Sequence, residues 1–544
     1  MKAKNTVAIP EKALIYKNNY VYFNVVRNYD PEVQYATYSR KCIGRKVAER
    51  LMVPNKNYAF IFEKEQLPEA PERSDVLSVG MYAVIQKVCA DFKVDEALSV
   101  FDDATIYLIK DLASYMIVMS SAAFQHFESY GFSHPLWSER AYSDSYITGW
   151  LKENIRITQV EECVDLWASM HIGKGRCLVC YDSTNINSVA EGISLVEKGH
   201  AKDDPTKPQI NIDYVVKQSD GIPLLYKSFP GSIVDITEAS DMIQSINKLG
   251  YTEITAICDR GYISVENVRA FDAAGIDFLL MVKSNLTCFK SMVRRYGLII
   301  RMKSSHYLPD TDQYGITVQD YLFDEGPKRY FHLIWDQKKG ENGRRSIMRT
   351  VAKYESILEK KKAECTPVSE KQEKQFAAYF TLDFKEGTRC LAAYKRKPEA
   401  IDLAVNYEGF ILLVGSQRQT CAEALDNYSK RDCVEKDFRA LKSELGMDPI
   451  GTQLDETTES KIFISFIAGI IRALILNETR KLRIKDRKQY TVPAIIKEME
   501  KVQAVRDYKT SKYERRYRLT AKQKAVTNAF ALNESDIDEM ASFL

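Results

Sequence analysis

Residues 175–184 read GRCLVCYDST, an apolar stretch that ends in an acidic, hydroxyl-rich tip and predicts a buried strand with polar groups at its end. Four more strand-like stretches follow along the chain: QINIDYVVKQ (209–218), IPLLYKSF (222–229), EITAICDRG (253–261) and IDFLLMVKS (276–284). Ser219–Asp220–Gly221 is a strong hairpin signal, and helices are predicted from Thr237 and Ser264, before the last two strands. Strand–helix alternation behind a hairpin favours an α/β fold with a mixed sheet.

The flanking sequence predicts further regions around this core. Residues 1–160 begin with β-branched and aromatic stretches and continue with helical periodicity, which predicts an α+β region. Residues 291–410 interrupt the core with strand-like stretches and one charged helix, and we expect a β-rich insertion there. The core therefore comprises 170–290 and 411–480, where EGFILLVGS restores a strand. Residues 481–544 are expected to form a helical, basic C-terminal region.

Composition places few limits on the partner. The 544 residues carry a net charge of only +3, but Arg480–Lys524 contains 16 Lys and Arg against 5 Asp and Glu. This local excess of positive charge would suit binding to a polyanion, but a solvated face of a helix would explain it about as well. Eleven scattered cysteines, including the lone pair Cys177 and Cys180, indicate reduced thiols and a structural role. The uncharged runs Leu112–Phe127 and Ile462–Ile471 are short for a membrane span, so we expect a cytoplasmic protein with no membrane partner.

Two aspartates end predicted strands of the core. Asp182 ends the first strand and Asp259 ends the fourth. In a mixed sheet the two carboxylates can lie side by side, where they would repel each other unless a cation compensates them. A hard divalent cation with oxygen ligands would supply that compensation. Two ordinary turn aspartates remain the alternative for either residue alone.

A helix predicted from about Cys421 to Leu445 adds a third set of polar side chains. Tyr428, Arg431, Glu435 and Lys442 are spaced i, i+3, i+7 and i+14, which places them within about 60° of one helix face. Glu435 can complete a metal site, while the guanidinium and the ammonium suit phosphate oxygens. The same four residues could instead form a solvated charged face.

These residues carry a family resemblance. The stretch YSKRDCVEKDFRALKS at 428–443 resembles the YREK signature of bacterial insertion-sequence DDE transposases of the insertion-sequence-four-like, cut-and-paste type. YDSTNI (181–186), PGSIVDITE (230–238) and CDRGYIS (258–264) are also similar to that family. The resemblance covers roughly residues 170–480. It implies a core similar to ribonuclease H with a β-rich insertion before the glutamate helix, and it implies that residues 1–160 bind DNA.

The resemblance also implies chemistry. Asp182, Asp259 and Glu435 would be the catalytic residues and would hold two Mg²⁺ ions, although Mn²⁺ suits the same oxygen ligands. The enzyme would cleave transposon ends and join them to target DNA as a homodimer acting on double-stranded DNA. Tyr428, Arg431 and Lys442 would contact DNA. Arg260, beside Asp259, could contact phosphate or simply pair with a carboxylate. Trp335 would serve as a platform for a flipped base, or else pack as an ordinary strand tryptophan.

Two other functions fit the same residues. One is a catalytically inactive DNA-binding repressor or architectural protein derived from a transposase. The other is a host nuclease of the same fold that cuts without strand transfer. The intact set of three carboxylates speaks against the first, and the Tyr428, Arg431 and Lys442 set speaks against the second. His200 and Lys202, in a polar loop near the first strand, could contact DNA or merely be exposed.

Overall fold

The computed structural model describes residues 6–30, 35–62, 73–173, 175–199, 207–233, 242–246, 253–324, 326–480, 482 and 490–544. The chain divides into two compact units, Met1–Ser74 and Asp75–Leu544. Most of the helix predicted from Thr237 lies outside the described residues, as do His200 and Lys202, although residues 242–246 are helical. The regional boundaries drawn from the sequence stay predictions.

The first unit is a five-stranded antiparallel sheet with one helix. Its strands, in spatial order β1-β5-β4-β3-β2, are β1 (Val7–Ala8), β2 (Leu14–Ile15), β3 (Tyr20–Asp30), β4 (Tyr35–Ala48) and β5 (Leu51–Pro54). Helix α1 (Lys56–Phe62) follows. Val21, Ile43 and Met52 form the buried centre of a small apolar cluster. The β-branched and aromatic character noted at the start of the chain agrees with β3 and β4, which pair antiparallel.

The second unit begins with a short strand and a layer of helices, which confirms the helical character predicted for 75–155. The elements are β6 (Val76–Ser78), α2 (Gly80–Asp91), α3 (Val94–Ala97), α4 (Asp103–Met119), α5 (Phe127–Ser133), α6 (Asp144–Asn154) and α7 (Ile157–Ile172). Helix α4 begins where the side chain of Asp102 accepts a hydrogen bond from the backbone N–H of Thr105. This layer buries apolar side chains such as Trp167, whose Nε1 donates to the Pro223 carbonyl at 2.8 Å.

A ten-stranded mixed sheet forms the centre of the second unit. Its first strands are β7 (Cys177–Asn187), β8 (Glu197–Lys198), β9 (Pro208–Lys217), β10 (Ile222–Pro230), β11 (Ile254–Cys258) and β12 (Asp277–Met281), with helix α8 (Val265–Ala274) between the last two. The order β10-β9-β7-β11-β12 has β9 antiparallel to β7 and both β11 and β12 parallel to it. The mixed α/β sheet and its predicted strands are therefore confirmed.

The segment after β12 differs from the β-rich insertion that was expected for 291–410. It contains α9 (Thr287–Met302), β13 (Tyr307–Leu308), β14 (Gln313–Tyr321), β15 (Lys328–Trp335), α10 (Gln337–Ala363), α11 (Glu370–Phe376), β16 (Phe380–Phe384), β17 (Leu391–Arg396) and α12 (Pro398–Tyr407). Strands β13–β15 extend the central sheet, and β15 pairs with β18 (Phe410–Gly415). Residues 337–407 form a mainly helical lobe, because an amphipathic α10 buries Val351 and Leu358 in a separate apolar core.

Helices dominate after β18. They are α13 (Cys421–Ser429), α14 (Asp432–Arg439), a π-helical turn (Ala440–Glu444) and α15 (Asp455–Thr479). The C-terminal region adds α16 (Val492–Met499), α17 (Ala521–Ala529) and α18 (Glu534–Ser542). It also contains a hairpin, β19 (Gln503–Arg506) and β20 (Tyr513–Arg515), that pairs with β6 and was not expected in a helical region.

Helix α15 is longer than the uncharged run Ile462–Ile471 suggested. Among the described single helices, α15 is the one that is long and apolar enough to cross a membrane by length and composition. The bent pair α4 and α5 meets the same criterion only when the two helices are counted as one span. However, 72% of the most apolar window of α15 is buried inside the protein. Such burial is what a core helix of a globular unit requires.

Candidate functional site

The central sheet sets Asp182 and Asp259 on neighbouring strands. Asp182 lies within β7, and Asp259 follows the last residue of β11. The two strands are parallel, with Cys258 opposite Tyr181, so one further step along the register brings Asp259 alongside Asp182. The sequence prediction that these carboxylates meet therefore agrees with the strand pairing.

The helix that carries the other candidates is broken, which corrects the continuous helix predicted from Cys421 to Leu445. Tyr428 lies in α13, Arg431 lies in the turn before α14, Glu435 lies in α14 and Lys442 lies in the π-helical turn. Ser429 explains part of the break, because its hydroxyl donates to the Asp426 carbonyl at 2.8 Å and offers the backbone an alternative to helical bonding. These four residues consequently do not lie along one face of a single regular helix, as their spacing predicted.

Arg431 joins two of the candidate carboxylates. Its Nη1 donates to Oδ2 of Asp182 at 2.8 Å, and its Nη2 donates to Oε1 of Glu435 at 2.6 Å. The Arg431 and Asp182 side chains are each only 12% exposed, whereas that of Glu435 is 54% exposed. The break before α14 thus turns the guanidinium towards β7 while Glu435 stays open to solvent.

Tyr428 links the third carboxylate to the same cluster. Its hydroxyl donates to Oδ1 of Asp259 at 3.3 Å, and the Arg431 guanidinium lies 5.9 Å from the centre of its ring. Burial raises the pKa of Tyr428 above its usual range; Arg431 acts in the opposite direction, and Asp259 adds to the rise. The hydroxyl therefore remains a proton donor at neutral pH.

The electrostatics of Arg431 follow from its surroundings. Burial by itself would lower the pKa of this guanidinium, but Tyr428 and the carboxylates of Asp182, Asp259 and Glu435 raise the pKa by more. The guanidinium thus stays charged and compensates carboxylates that would otherwise repel one another.

The backbone around the cluster is fixed by short local contacts. The N–H of Arg260 donates to Oδ1 of Asp259 at 2.7 Å, and the N–H of Ser183 donates to Oδ1 of Asp182 at 2.9 Å. The Arg260 side chain is exposed. Each aspartate is therefore oriented by its own following residue. The second oxygen of Asp182 accepts from Arg431, whereas Oδ1 of Asp259 accepts from both the Arg260 N–H and the Tyr428 hydroxyl.

Trp335 lies apart from the carboxylates. It ends β15 opposite Phe410 of β18, and it packs beside the Arg301 guanidinium, 4.9 Å from the ring centre. Strand β15 runs parallel to β11, so Trp335 lies towards the same sheet edge as Asp259, three strand spacings or roughly 14 Å across the sheet and three residues or roughly 10 Å further along the strand direction. Its surroundings are those of a partly buried strand tryptophan.

Two pairs of residues near the cluster were missed by sequence reasoning. Cys180 and Cys433, each two residues before a candidate carboxylate, bring their thiols next to each other between β7 and α14. The Tyr181 hydroxyl donates to the buried Asp213 of β9. Nothing in their spacing signals either contact, because both depend on how distant segments pair.

The donor chemistry suits a hard divalent cation. Three carboxylates offer oxygen ligands of the kind that Mg²⁺ and Mn²⁺ take in proteins. Within the described part of the chain, however, no group of three or more His, Cys, Asp and Glu side chains is close enough to hold a metal ion as arranged. Arg431 stands between Asp182 and Glu435, so a cationic group already fills the position that these carboxylates face.

Comparison with known proteins gives one family. The family model described as the transposase DDE domain matches residues 173–471, more than half of the chain. None of the curated proteins matches the chain.

Solved structures give weak similarities. A piggyBac transposase synaptic complex with hairpin DNA has 10% identity over 85% of this chain and 79% of that chain, with a TM-score of 0.35. A Drosophila P element transposase strand transfer complex has 13% identity over 70% of this chain and 99% of that chain, with a TM-score of 0.24. At these scores the likeness does not establish a shared fold.

Proposed function

The chain belongs to the transposase family defined by the DDE domain, and from that premise we propose that it cleaves transposon ends and joins them to target DNA. We propose Asp182, Asp259 and Glu435 as its catalytic carboxylates. The observation that carries this assignment is a pair of contacts side by side: Arg431 hydrogen-bonds Asp182 and Glu435, and Tyr428, whose ring centre lies 5.9 Å from the Arg431 guanidinium, hydrogen-bonds Asp259. The three come from β7, the end of β11 and α14, and the family match spans all of these elements.

The same carboxylates would hold two Mg²⁺ ions, with Mn²⁺ as the substitute. Bound there, divalent ions lower the pKa of an attacking oxygen and stabilise the leaving oxygen of a phosphoryl group. Asp182 and Asp259 would contribute ligands from neighbouring strands, and Glu435, the most exposed of the three, would complete the set from α14. Arg431 would then exchange its carboxylate partners for phosphate oxygens, to which its two-pronged donor geometry is suited.

The remaining candidates would contact DNA. Tyr428 keeps its proton and can donate it in a hydrogen bond to a phosphate oxygen. Arg260 is exposed directly beside Asp259, and Lys442 follows α14 in the π-helical turn. Trp335 would act as a platform for an unstacked base at the same sheet edge, which requires it to leave its packing beside Arg301.

The finer classification follows from the motif and the sheet. We propose a ribonuclease H-like core. It is supported by the strand order β10-β9-β7-β11-β12, in which β10, β9 and β7 pair antiparallel and β7, β11 and β12 pair parallel. The spacing of Tyr428, Arg431, Glu435 and Lys442 supports the YREK signature and the insertion-sequence-four-like, cut-and-paste type. A homodimer that pairs two transposon ends on double-stranded DNA in the cytoplasm completes the proposal.

Cleavage of a duplex that carries the element's own ends tests the proposal. We expect the wild type to cut it in Mg²⁺ or Mn²⁺. Glu435→Gln should still bind the duplex, but its cleavage rate should fall by roughly a hundredfold or more, because the site loses one carboxylate ligand. Product sizes on a denaturing gel report the cut, and a target duplex in the same reaction reports joining.

Asp432→Asn is the matched control. Asp432 lies on the same helix with a side chain 57% exposed, close to the 54% of Glu435, but it pairs with Lys436. It should cut like the wild type. If neither the wild type nor any variant cuts while all bind the duplex, the protein is an inactive DNA-binding relative and the catalytic assignment fails. Cutting without joining would instead indicate a nuclease of the same family.

A further inference from the structure

Helix α10, in the lobe at 337–407, presents a strip of positive charge. Five basic side chains fall within about 80° of arc around the helix, taking about 100° per residue. They form the basic strip: Lys338, Arg345, Arg349, Lys353 and Lys360. The other positions in that arc are Asn342, Ser356 and Ala363, so no acidic residue interrupts it. At about 1.5 Å per residue the strip is roughly 33 Å long, close to one turn of B-form DNA.

The middle of the strip forms a shallow groove. Its volume is about 440 Å³, and it is lined by Asn342, Arg345, Ser346, Arg349, Thr350 and Lys353. Guanidinium, ammonium, amide and hydroxyl groups are the donors that proteins direct at phosphate oxygens. Because the lining carries no aromatic ring, the groove suits a sugar–phosphate backbone rather than bases.

The cations of the groove are not neutralised within the lobe. Over the described residues, neither Arg349 nor Lys353 has a carboxylate within 4.0 Å. Arg345 approaches Glu341 at 3.8 Å, but the two side chains are 69% and 58% exposed, and such surface pairs contribute little. The opposite side of α10 is buried through Val351 and Leu358, so the strip faces outward.

The strip is held in a fixed place relative to the catalytic edge of the sheet. Helix α10 starts at Gln337, two residues after β15 ends, and β15 ends at the same edge as β11 and Asp259. Side-chain oxygens of Asp336 accept from the Lys339 N–H at 2.9 Å and from Gln313 of β14 at 3.0 Å. A Cβ added at Gly409 would lie 2.7 Å from the Gly340 backbone, which shows how closely α10 packs against the residues just before β18.

We propose that the basic strip binds the phosphate backbone of target DNA, as duplex of any sequence, where it extends away from the catalytic carboxylates. This inference rests on the proposed function, which requires a target duplex at that edge. Target DNA fits better than transposon ends because the groove offers only phosphate donors, which read no sequence. Three phosphate contacts in the groove would add about 2.7 to the salt dependence of binding, taking about 0.9 per contact.

The test measures binding of the full chain to a 40-base-pair duplex of random sequence by fluorescence anisotropy, in EDTA and over a range of salt. The strip variant carries Arg345→Gln, Arg349→Gln and Lys353→Gln. The control variant carries Arg344→Gln, Lys362→Gln and Lys371→Gln, which removes three exposed charges from other faces of the same lobe. Thermal unfolding of both variants should match the wild type, because all six side chains are exposed.

We expect the strip variant to bind roughly tenfold or more weakly at 0.1 M salt, with a log–log salt slope shallower by about 2 to 3. The control variant should stay within about twofold of the wild type. An equal loss of DNA affinity in both variants, or an unchanged salt dependence of binding in the strip variant, would overturn the proposal. The end-cleavage assay keeps the two proposals distinct: the strip variant should still cut transposon ends and lose joining to target, whereas failure of the catalytic assignment would abolish cutting in the wild type itself.

Discussion

At the residue scale, Arg431 is the side chain on which the candidate site depends. It contacts both Asp182 and Glu435, and both it and Asp182 are largely removed from solvent. Breaking a buried ion pair from one side leaves a charge without compensation and costs more than the pair itself contributes. The residue would therefore have a structural effect in the free protein that is separable from any contact with DNA.

Arg431→Gln should lower the free energy of unfolding in EDTA by about 3 kcal/mol, because Asp182 would lose the buried cation with which it pairs. Urea denaturation followed by circular dichroism measures this. Lys430→Gln, next to it, removes an exposed pair with Asp426 and should change the stability by no more than about 0.5 kcal/mol. Equal effects of the two substitutions would mean that the Arg431 bridge does not hold the carboxylates.

Lys461 makes a second prediction at this scale, through pH. Burial in α15 lowers the pKa of its ammonium from 10.5 to about 8, although its Nζ donates to the Ile450 carbonyl at 2.6 Å. The unfolded chain therefore binds more protons than the folded chain between about pH 8 and 10.5, so stability should rise with pH across that window. The rise attributable to Lys461 is about 3 kcal/mol.

Urea denaturation of the wild type and of Lys461→Met at pH 7, 8, 9 and 10 isolates the effect of Lys461 from other titrating groups. Methionine keeps the length of the side chain and removes the titration. The stability difference between the two proteins should change in favour of the wild type as the pH rises. A difference that is constant with pH would show that the ammonium is not destabilised by its burial.

At the element scale, sequence predicted those parts whose pattern is local. The strands at 177–187, 208–217 and 222–230 were anticipated because runs of apolar residues bounded by turn signals define buried strands. The break before α14 was not anticipated, because one of the contacts made there joins Arg431 to Asp182, a residue 249 positions away that no local pattern reveals. The mainly helical character of the lobe at 337–407 was also not predicted, because only α10 has a charge pattern that indicates a helix.

The attachment of that lobe gives an element-scale prediction. Gly409, between α12 and β18, has a φ of +82° and would place an added methyl carbon 2.6 Å from the Asp336 carbonyl oxygen and 2.7 Å from the Gly340 backbone. Gly409→Ala should therefore cost about 3 kcal/mol or more, from strain and overpacking together. Gly387→Ala is the control: its φ of +66° is similar, but nothing lies within 4 Å, so about 1 kcal/mol is expected. Similar losses at the two sites would show that the lobe is not tightly packed there.

At the scale of the whole molecule, the family match and the folding unit differ in extent. The match covers 173–471, whereas the compact unit is Asp75–Leu544. Helix α15 explains the difference, because it is buried by helices that precede the match: Ser460 donates to the Leu151 carbonyl at 2.9 Å, and Phe463 packs against Phe101 at 5.7 Å between ring centres. Sequence motifs located the candidate site but not the packing around it.

Two truncations of the chain test this reading. Residues 173–471 alone keep all three carboxylates, yet this fragment ends inside α15, and the part of the helix that remains would lose the helices that cover it and expose apolar surface to water, at about 25 cal/mol for each Å². That fragment should aggregate or unfold without cooperativity. Residues 75–544 should instead unfold cooperatively, because β6 at their start pairs with β19 near their end and closes the unit. Thermal unfolding by circular dichroism, with size-exclusion chromatography, separates the two outcomes. Should 173–471 prove monomeric and cooperative, the helical layer would be an accessory to the catalytic core rather than part of it.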